Sequence, residues 1–370
     1  MMLGLKNKYY SLDQIDKINS QYKMIIGERS NGKTYSVLKK MIDIYLDHGG
    51  KSAYVRRWEL DIKKARCERL FSGLIENEYI KKASKGRFNS VYYRTGTFWL
   101  CNNESGTNEL DEQPFCACFA ISQGEHDKGG TFSQDVELVC FDEFCTRYQY
   151  LPDEFILWTN VLSTIVRTQS KSVVYMLANT VSKTCLYFNE MGLNHVKDMK
   201  QGEIEVYTYG NSDLKVAVEY VKPMEKSSKP SDVYFAFDNP RLNMIKNGAW
   251  EIAIYPHLPE KYRMNEIVMM FFIKFDGELL QCDIVRKPAT SFIYIHQKTT
   301  EIQNEDRDII YTTEYDSRPN WFRNIYTTTY PFQKKIARLM KMEKLYFQTN
   351  EIGEIFRSYV NWCRSYEKVI

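Results

Sequence analysis

The segment GERSNGKT, from Gly27 to Thr34, constrains this chain of 370 residues more than any other feature. It matches the phosphate-binding pattern G-x-x-x-x-G-K-[ST] at every position. The glycines let the backbone curl so that successive N–H groups point at phosphate oxygens, the lysine adds a positive charge near the β- and γ-phosphates, and the final hydroxyl is a ligand for Mg²⁺. The pattern therefore predicts a site for ATP and Mg²⁺. The nucleotide-binding residues it predicts are Gly27, Glu28, Arg29, Ser30, Asn31, Gly32, Lys33, Thr34 and Tyr35.

The residues around this loop have the pattern of a strand before it and a helix after it. Tyr22 to Ile26 read as a short buried strand, and apolar residues then recur at helical spacing from Val37 to Tyr45, before a stop at Gly49 and Gly50. This order suits phosphate binding, because the N-terminus of the helix attracts anions. The alternative is a glycine turn in an unrelated α/β protein.

Length and composition indicate a protein of more than one domain that works in a cytoplasm. The chain is too long for one typical core, so two domains are expected. Hydrophobic residues make up 44% of the chain and charged residues 26%, which is ordinary for a soluble globular protein. No apolar run has the length of a membrane span, and the N-terminal residues lack the apolar core of a signal peptide, so no membrane partner is expected.

The cysteines and histidines argue against a disulfide framework and against a zinc site. Nine cysteines are spread singly along the chain, apart from Cys116 and Cys118, which alternate in a predicted strand. This distribution is typical of reduced core cysteines. The five histidines form no pair with metal-ligand spacing, among themselves or with the cysteines.

Positive charge is concentrated in one stretch of the chain. The net charge is only +3, but between Lys51 and Arg94 twelve Lys or Arg residues stand against five Asp or Glu residues. Aromatic residues are interleaved with these charges. Two interpretations remain open: a solvated face, or a surface for nucleic acid or another anionic partner.

A second chemical motif follows a mostly apolar strand that begins at Val136. The strand ends in two acids, Asp142 and Glu143. We expect Asp142 to orient the water shell of Mg²⁺ and Glu143 to polarise the water that attacks the γ-phosphate. A nucleotide kinase must exclude water from this phosphate, so the adjacent glutamate favours hydrolysis.

Two further polar residues stand at the ends of predicted elements. A helix signal at Pro152 to Glu154 precedes a helix that ends at Arg167. Arg167 either neutralises the C-terminal end of the helix dipole or acts as an arginine finger toward a neighbouring subunit. Asn179 ends a strand that begins at Ser172, so it is either a turn residue or a sensor of the γ-phosphate and the attacking water.

Five blocks of sequence resemble the DNA-encapsidation ATPases of small phages with short tails. They are GERSNGKTY, SAYVRRWEL, ELVCFDEF, TIVR and YMLANTVS. Their order and spacing match that family from Met24 to Ser182, and YVRR and FDEF are specific to it. The resemblance becomes thin after about residue 200. It implies an α/β ATPase domain with a mostly parallel sheet, in the additional-strand, catalytic-glutamate (RecA-like) class of P-loop proteins.

The resemblance also implies partners and residue roles. Such ATPases form a ring, a pentamer in that family, at the portal of an empty prohead, and translocate double-stranded DNA into it. Carried over, Lys33 and Thr34 bind phosphate and Mg²⁺, Asp142 is the metal acid and Glu143 the catalytic base. Arg167 then corresponds to the trans-acting arginine, and Asn179 completes the catalytic set. Lys128 is near a second trans-acting basic position, and Arg56 and Arg57 match paired arginines, whose separate roles stay open. Whether a structural RNA takes part also stays open.

The second half of the chain predicts a smaller α+β domain. We expect an ATPase domain over residues 1–199, a linker or small subdomain over 200–231, and a C-terminal domain over 232–370. Strands are expected at 233–237, 267–275, 279–285 and 291–296, with a hairpin turn at Asp276-Gly277. The resemblance implies an RNase H-like domain of vestigial nuclease type that binds nucleic acid or the portal. Asp238, Asp276 and Asp283 are the acids nearest to strand ends.

The sequence thus predicts an ATP-hydrolysing DNA-packaging motor of a phage, located in the host cytoplasm and docked transiently on the prohead. Three alternatives stay open. A helicase or partitioning ATPase would share the site, a nucleotide-switched scaffold would bind ATP without turnover, and a kinase would transfer the phosphate to a nucleoside.

Overall fold

The chain divides into two units in a computed structural model. The structure describes residues 9–123, 136–146, 150–166, 172–180, 185–210, 212–222 and 255–366. The first unit comprises Met1–Thr146 and Asp153–Trp250, and the second comprises Arg147–Pro152 and Glu251–Ile370. The predicted strand at 233–237 and Asp238 lie outside the described residues.

The described residues of the first unit form a ten-stranded sheet with helices. Its strands are β1 (Tyr22–Gly27), β2 (Lys51–Arg56), β3 (Ser90–Arg94), β4 (Thr97–Asn102), β5 (Glu109–Leu110), β6 (Cys116–Ala120), β7 (Val136–Asp142), β8 (Val173–Asn179), β9 (Ile204–Thr208) and β10 (Lys215–Tyr220). Its α-helices are α1 (Lys33–His48), α2 (Lys64–Cys67), α3 (Ser72–Glu76), α4 (Tyr79–Ala83), α5 (Glu154–Val166) and α6 (Leu186–Glu190). Short 3₁₀ turns precede β1, follow β2 and follow β6.

The sheet is mostly parallel at its centre and antiparallel at its edges. Its order is β3-β4-β6-β2-β7-β8-β1-β10-β9, with β5 paired to β4. The six strands from β6 to β10 in this order pair in parallel, whereas β3, β4, β5 and β9 pair antiparallel. The central strands are buried on both faces, which is typical of parallel strands covered by helices. The predicted α/β fold with a mostly parallel sheet is confirmed.

Strand β8 lies between β1 and β7. It pairs in parallel with both neighbours, so that Gly27 is opposite Asn179 and Asp142 is opposite Leu177. The carboxyl ends of these three strands therefore meet at one edge of the sheet. In open parallel sheets this edge is where ligands bind.

Helix α1 packs its predicted apolar face on the sheet. Val37, Leu38, Met41 and Ile42 are buried in the same core cluster as Ile25 of β1. The helix ends where the glycine pair predicts, because Gly49 has a φ of 77° and its N–H donates to the carbonyl of Tyr45. A left-handed glycine is the commonest way to end a helix.

Helix α5 contains one feature that the sequence does not predict. Trp158, Val161 and Ile165 are buried, and the Trp158 ring stacks on Phe141 with centroids 4.8 Å apart. Glu154, the first residue of the helix, is also fully buried, with 0% exposure. A buried carboxylate requires a partner, which is described below.

The predicted linker over 200–231 is wrong for the residues that form β9 and β10. Strand β10 adds to the sheet in parallel beside β1, and β9 pairs with β10 in an antiparallel hairpin. Strand β9 lies at the edge of the sheet with no fully buried residue, and polar, glycine-containing segments surround it, so its strand pattern is weak. The sheet of the first unit therefore continues to Tyr220.

The described residues of the second unit form a six-stranded sheet with two α-helices. Its strands are β11 (Ile267–Phe275), β12 (Glu278–Arg286), β13 (Ser291–Gln297), β14 (Ile310–Thr312), β15 (Trp321–Phe322) and β16 (Leu345–Phe347), and its helices are α7 (Pro331–Lys341) and α8 (Asn350–Tyr366). The order is β15-β14-β11-β12-β13-β16. The three strands predicted here are confirmed. Asp276 and Gly277 have φ values of 62° and 75°, which confirms the predicted hairpin turn.

Candidate functional site

The phosphate-binding loop connects β1 to α1. Gly32 has a φ of 94°, and a Cβ atom at this position would lie 2.9 Å from the Cβ of Tyr9. Gly32 is therefore required both by its left-handed backbone and by the close approach of Tyr9. Ser30 is also left-handed, with a φ of 60°. These conformations curl the loop so that α1 begins directly after it, as the sequence predicts.

Lys33 lies in the curl of the loop and is 6% exposed. Its Nζ donates to the carbonyls of Gly27 at 3.2 Å and Glu28 at 2.7 Å, and to Oδ1 of Asn31 at 3.1 Å. Oδ1 of Asn179, at the end of β8, is 3.4 Å away. Burial lowers the pKa of the Lys33 ammonium group to about 8, although the nearby carboxylates of Asp142 and Glu28 favour the charged form. The amine is thus held by acceptors in a place where negative phosphate oxygens would raise its pKa again.

Thr34 and Asp142 face each other. The Thr34 hydroxyl lies 3.3 Å from each carboxylate oxygen of Asp142, and the hydroxyl of Tyr54 donates to Oδ2 of Asp142 at 2.9 Å. Nη1 of Arg56 lies 3.5 Å from the same oxygen. Burial raises the pKa of the Asp142 carboxyl, while Arg56 and the Tyr54 hydroxyl oppose the rise.

Glu143 has a left-handed backbone and an exposed side chain. Its φ is 61°, which is uncommon for a residue other than glycine. Its side chain is 56% exposed, and Oε2 accepts a hydrogen bond from Nη2 of Arg56 at 2.6 Å. Arg56 therefore contacts both acids of the predicted pair.

Arg57 points in the other direction, into the protein. Its Nε donates to Oε2 of Glu154 at 2.7 Å, and its Nη1 and Nη2 donate to the carbonyls of Glu143 and Phe144 at 3.3 Å and 2.5 Å. Side chains alternate in direction along a strand, and β2 ends at Arg56, so the two adjacent arginines separate. The structure thus shows different environments for two arginines whose roles the sequence does not separate.

The side chains around the loop enclose a cavity of about 400 Å³. Its lining comprises the loop, the acid pair and the end of β8: Tyr9, Arg29, Ser30, Asn31, Gly32, Lys33, Thr34, Tyr35, Asp142, Glu143, Leu177, Ala178 and Asn179. Tyr35 stacks on Tyr9, with ring centroids 5.6 Å apart. Glu28 is buried beneath the loop, and Gly27 ends β1. The cavity combines a cation, oxygen ligands for a metal and an exposed carboxylate, which is what hydrolysis of a bound triphosphate requires.

Two predicted residues cannot be compared with this geometry. Arg167 and Lys128 lie outside the described residues. Three contributors were missed by sequence reasoning: Tyr9, which lines the cavity, Tyr54, which bonds Asp142, and Glu154, which pairs with Arg57. Tyr9 belongs to no motif, and Tyr54 opens the YVRR block, in which sequence reasoning considered only the arginines. The position of Glu154 before an apolar helical face is a sequence signal, but an acid in the first turn of a helix is equally typical of an exposed residue that interacts with the helix dipole.

The second unit brings few acids together. Asp283 is buried and accepts hydrogen bonds from the Tyr262 hydroxyl at 2.6 Å and from Nε2 of Gln281 at 2.9 Å, with Nε2 of His296 3.4 Å away. These contacts and the nearby imidazole lower the pKa of Asp283 despite its burial. Asp276 serves the turn between β11 and β12. Within the described ranges, no group of three or more His, Cys, Asp or Glu could hold a metal ion.

Two further observations concern the cysteine side chains and the lengths of the helices. All nine cysteines are free, and eight of them are buried. Among the helices that the structure describes, none has the length and apolarity to cross a lipid bilayer.

The chain resembles proteins that package phage DNA. A curated DNA packaging protein of Bacillus phage B103 is 25% identical over 172 residues, which cover 46% of this chain and 47% of the relative. The match thus spans about half the length of that relative. No family model matches the sequence.

Two solved structures share the fold over nearly the whole chain. The viral genome packaging motor assembly of bacteriophage Phi-29 is 18% identical with a TM-score of 0.59, over 97% of this chain and 99% of that one. The DNA packaging motor of Phi-28 is 16% identical with a TM-score of 0.57, over 97% of this chain and 98% of that one. At these identities the likeness concerns the fold. With the curated relative, it confirms the resemblance that the sequence motifs predicted.

Proposed function

We propose that the chain is an ATP-hydrolysing motor that moves double-stranded DNA into a preformed phage capsid. The observation that carries the proposal is the convergence of Lys33, Thr34, Asp142, Glu143 and Asn179 on one cavity of about 400 Å³. These residues come from three chain segments that are far apart in sequence. Their chemistry suits ATP hydrolysis, and the similarity to DNA packaging proteins suggests the work to which hydrolysis is coupled.

The site fits Mg²⁺ as well as ATP. The hydroxyl of Thr34 and the carboxylate of Asp142 lie 3.3 Å apart at the cavity, and oxygen atoms are the ligands that Mg²⁺ prefers. Thr34 and Asp142 would hold the ion, as the sequence predicts. When bound, Mg²⁺ neutralises charge on the β- and γ-phosphates.

In the proposed reaction Glu143 acts as the general base. Its carboxylate takes a proton from the water that attacks the γ-phosphate, and Arg56, 2.6 Å from Oε2, sets the direction of the carboxylate. Lys33 stabilises the negative charge on the transferring phosphoryl group. Asn179, 3.4 Å from the Lys33 amine, is suitably located to sense the γ-phosphate or the attacking water. We assign the trans-acting arginine finger to Arg167 of a neighbouring subunit, and leave Lys128 as a second trans-acting candidate.

Coupling to DNA rests on similarity rather than on a described contact. We propose a homo-oligomeric ring, a pentamer by resemblance, that docks on the portal of the prohead in the host cytoplasm, with or without a structural RNA. A motor must move any sequence, so its contacts should be mostly to phosphates. The basic stretch between Lys51 and Arg94 is the candidate surface for these contacts. Binding should then weaken steeply with salt.

For the second unit we propose an RNase H-like domain without nuclease activity. The support is the family resemblance together with the strand arrangement, in which β11, β12 and β13 form an antiparallel meander and β14 and β15 follow in parallel beside β11. Its proposed role is to bind nucleic acid or the portal. The ATPase domain is accordingly proposed to include β9 and β10 besides residues 1–199.

The test measures ATP turnover with duplex DNA present. Wild-type protein should hydrolyse ATP faster with duplex than with single-stranded DNA. Lys33→Ala and Arg167→Ala should each be inactive alone, and mixing the two proteins should restore turnover, because each supplies the part that the other lacks. If Arg167→Ala turns over ATP like wild type, the finger assignment is wrong.

Other outcomes would favour the alternatives. Stronger stimulation by single-stranded DNA would favour a helicase or partitioning ATPase. ATP binding with negligible turnover, unchanged by Glu143→Gln, would favour a nucleotide-switched scaffold. Phosphate transfer to a nucleoside would favour a kinase.

A further inference from the structure

A buried ion pair lies behind the acid pair of the cavity. Arg57 and Glu154 are almost entirely shielded from solvent, with exposures of 5% and 0%, and Nε of Arg57 lies 2.7 Å from Oε2 of Glu154. The other carboxylate oxygen of Glu154 accepts a hydrogen bond from the hydroxyl of Tyr187 at 2.8 Å. Arg57 directly follows β2, Glu154 is the first residue of α5, and Tyr187 lies in α6. Burial of both charges is costly unless their geometry is nearly ideal, so the pair needs a reason beyond stability.

The ion pair is directed at the backbone that carries Glu143. Nη1 of Arg57 donates to the carbonyl of Glu143 at 3.3 Å, and Nη2 donates to the carbonyl of Phe144 at 2.5 Å. On the other side, the N–H of Phe144 donates to the carbonyl of Leu177 in β8 at 3.2 Å. The turn after β7 is therefore held between β8 and the Arg57 guanidinium.

The backbone of this turn adopts an unfavourable conformation. Glu143 has a φ of 61°, and a left-handed backbone is disfavoured for a residue with a side chain. Such a conformation persists only where the surroundings over-determine it. Arg57, with its planar fork of donors, can bind two successive carbonyls and a carboxylate at once, whereas a lysine in its place has a single nitrogen.

We propose that Arg57, Glu154 and Tyr187 are positioning residues for the general base. Glu154 fixes the Arg57 guanidinium, which holds the left-handed turn, and the turn aims the Glu143 carboxylate at the cavity. Tyr187 holds the Glu154 carboxylate through the hydrogen bond that its hydroxyl donates. This inference rests on the proposed hydrolytic function and assigns to it three residues that are not part of the cavity lining.

The contacts separate this role from nucleotide binding. Lys33 is held by the carbonyls of Gly27 and Glu28 in the loop. Asp142 is held by Tyr54 and Arg56, and the Thr34 hydroxyl contacts Asp142. Loss of the Arg57 contacts should therefore loosen Glu143 while leaving the phosphate and metal ligands in place. A purely structural role would lower stability without this separation.

The experiment uses Arg57→Lys and Glu154→Gln in the full-length chain. For both variants we expect kcat to fall about tenfold or more, while the Kd of a non-hydrolysable ATP analogue changes less than about threefold. The matched control is Asp16→Asn. Asp16 also binds lysine and tyrosine side chains, with Lys23 Nζ 3.0 Å and the Tyr175 hydroxyl 2.5 Å away. It lies in the 3₁₀ turn before β1, near the residues where β1 and β8 begin, whereas Glu143 follows the end of β7. Asp16→Asn should lower the unfolding midpoint and leave kcat unchanged.

Two further measurements keep the outcome decisive. If Arg57→Lys does not fold, Tyr187→Phe removes only the hydroxyl that fixes Glu154, and kcat should fall about two- to fivefold at unchanged analogue affinity. Wild-type kcat in the folded variants, or equal losses of kcat and affinity, would overturn the positioning role. Glu143→Gln distinguishes the two proposals: if it abolishes turnover while the Arg57 and Glu154 variants do not change it, hydrolysis stands and only the positioning role fails.

Discussion

Binding of ATP should be accompanied by proton uptake at Lys33. Burial lowers the pKa of this amine to about 8 from its ordinary value of 10.5. Phosphate oxygens placed against the ammonium group favour its charged form, so bound ATP should return the pKa toward 10.5 or above. Between these two pKa values, the protein with ATP holds a proton on Lys33 that the protein without ATP does not hold.

The uptake has a definite dependence on pH. With pKa values of about 8 without ATP and about 10.5 with ATP, binding should take up roughly 0.1 proton at pH 7, roughly 0.5 at pH 8 and roughly 0.9 at pH 9.

The lowered pKa of Lys33 also sets how the free energy of unfolding changes with pH. The unfolded chain holds more protons than the folded one between the two values, so the contribution of Lys33 to stability rises with pH across this window. The rise amounts to about 3 kcal/mol.

Isothermal titration calorimetry measures the uptake directly. A non-hydrolysable ATP analogue is titrated into the protein at pH 7, 8 and 9, in two buffers with different ionisation enthalpies, and the difference in heat gives the number of protons bound. Lys33→Arg is the control, because a guanidinium stays protonated throughout this range. Uptake that stays flat from pH 7 to pH 9, or that persists in Lys33→Arg, would refute the reasoning.

Three other perturbations test the site and its support. Glu143→Gln should keep analogue affinity and lower kcat by about a hundredfold or more, measured by phosphate release, because the general base is lost; near wild-type turnover would contradict this role. Tyr54→Phe removes a hydrogen bond that lowers the pKa of Asp142, so the acid limb of kcat/KM should move to higher pH; an unmoved limb would contradict the contact. Trp158→Ala should cost about 3 to 5 kcal/mol in urea unfolding, whereas Ile156→Ala, at a position 58% exposed, should cost far less.

The sequence locates most of the residues that line the cavity, because the two motifs that supply them are local. The phosphate loop is one continuous segment, and the strand and helix that flank it follow from apolar spacing alone. The acid pair at the end of β7 is equally local. These segments meet in space because parallel strands present their carboxyl ends at one edge, which is a property of the fold class rather than of any contact.

The residues that the sequence does not reveal act through long-range contacts. Glu154 looks like a first-turn helix acid, yet it is buried against Arg57, which is 97 positions earlier in the chain. Tyr54 reads as one more aromatic residue of a buried strand until its hydroxyl is seen 2.9 Å from Asp142. Strands β9 and β10 were missed because the polar, glycine-containing segments around them have the composition of a linker.

The neighbouring arginines at the end of β2 impose a constraint on evolution. Arg56 contacts the acids of the cavity, whereas Arg57 contacts Glu154 in the interior. This difference follows from the alternating direction of side chains along a strand. Inserting or deleting one residue in β2 would shift one of these arginines into the environment of the other, so that either the acid pair or Glu154 would lose its partner. We therefore expect natural variants to change the length of the loops around β2 freely, while the count of residues from Lys51 to Arg57 stays fixed.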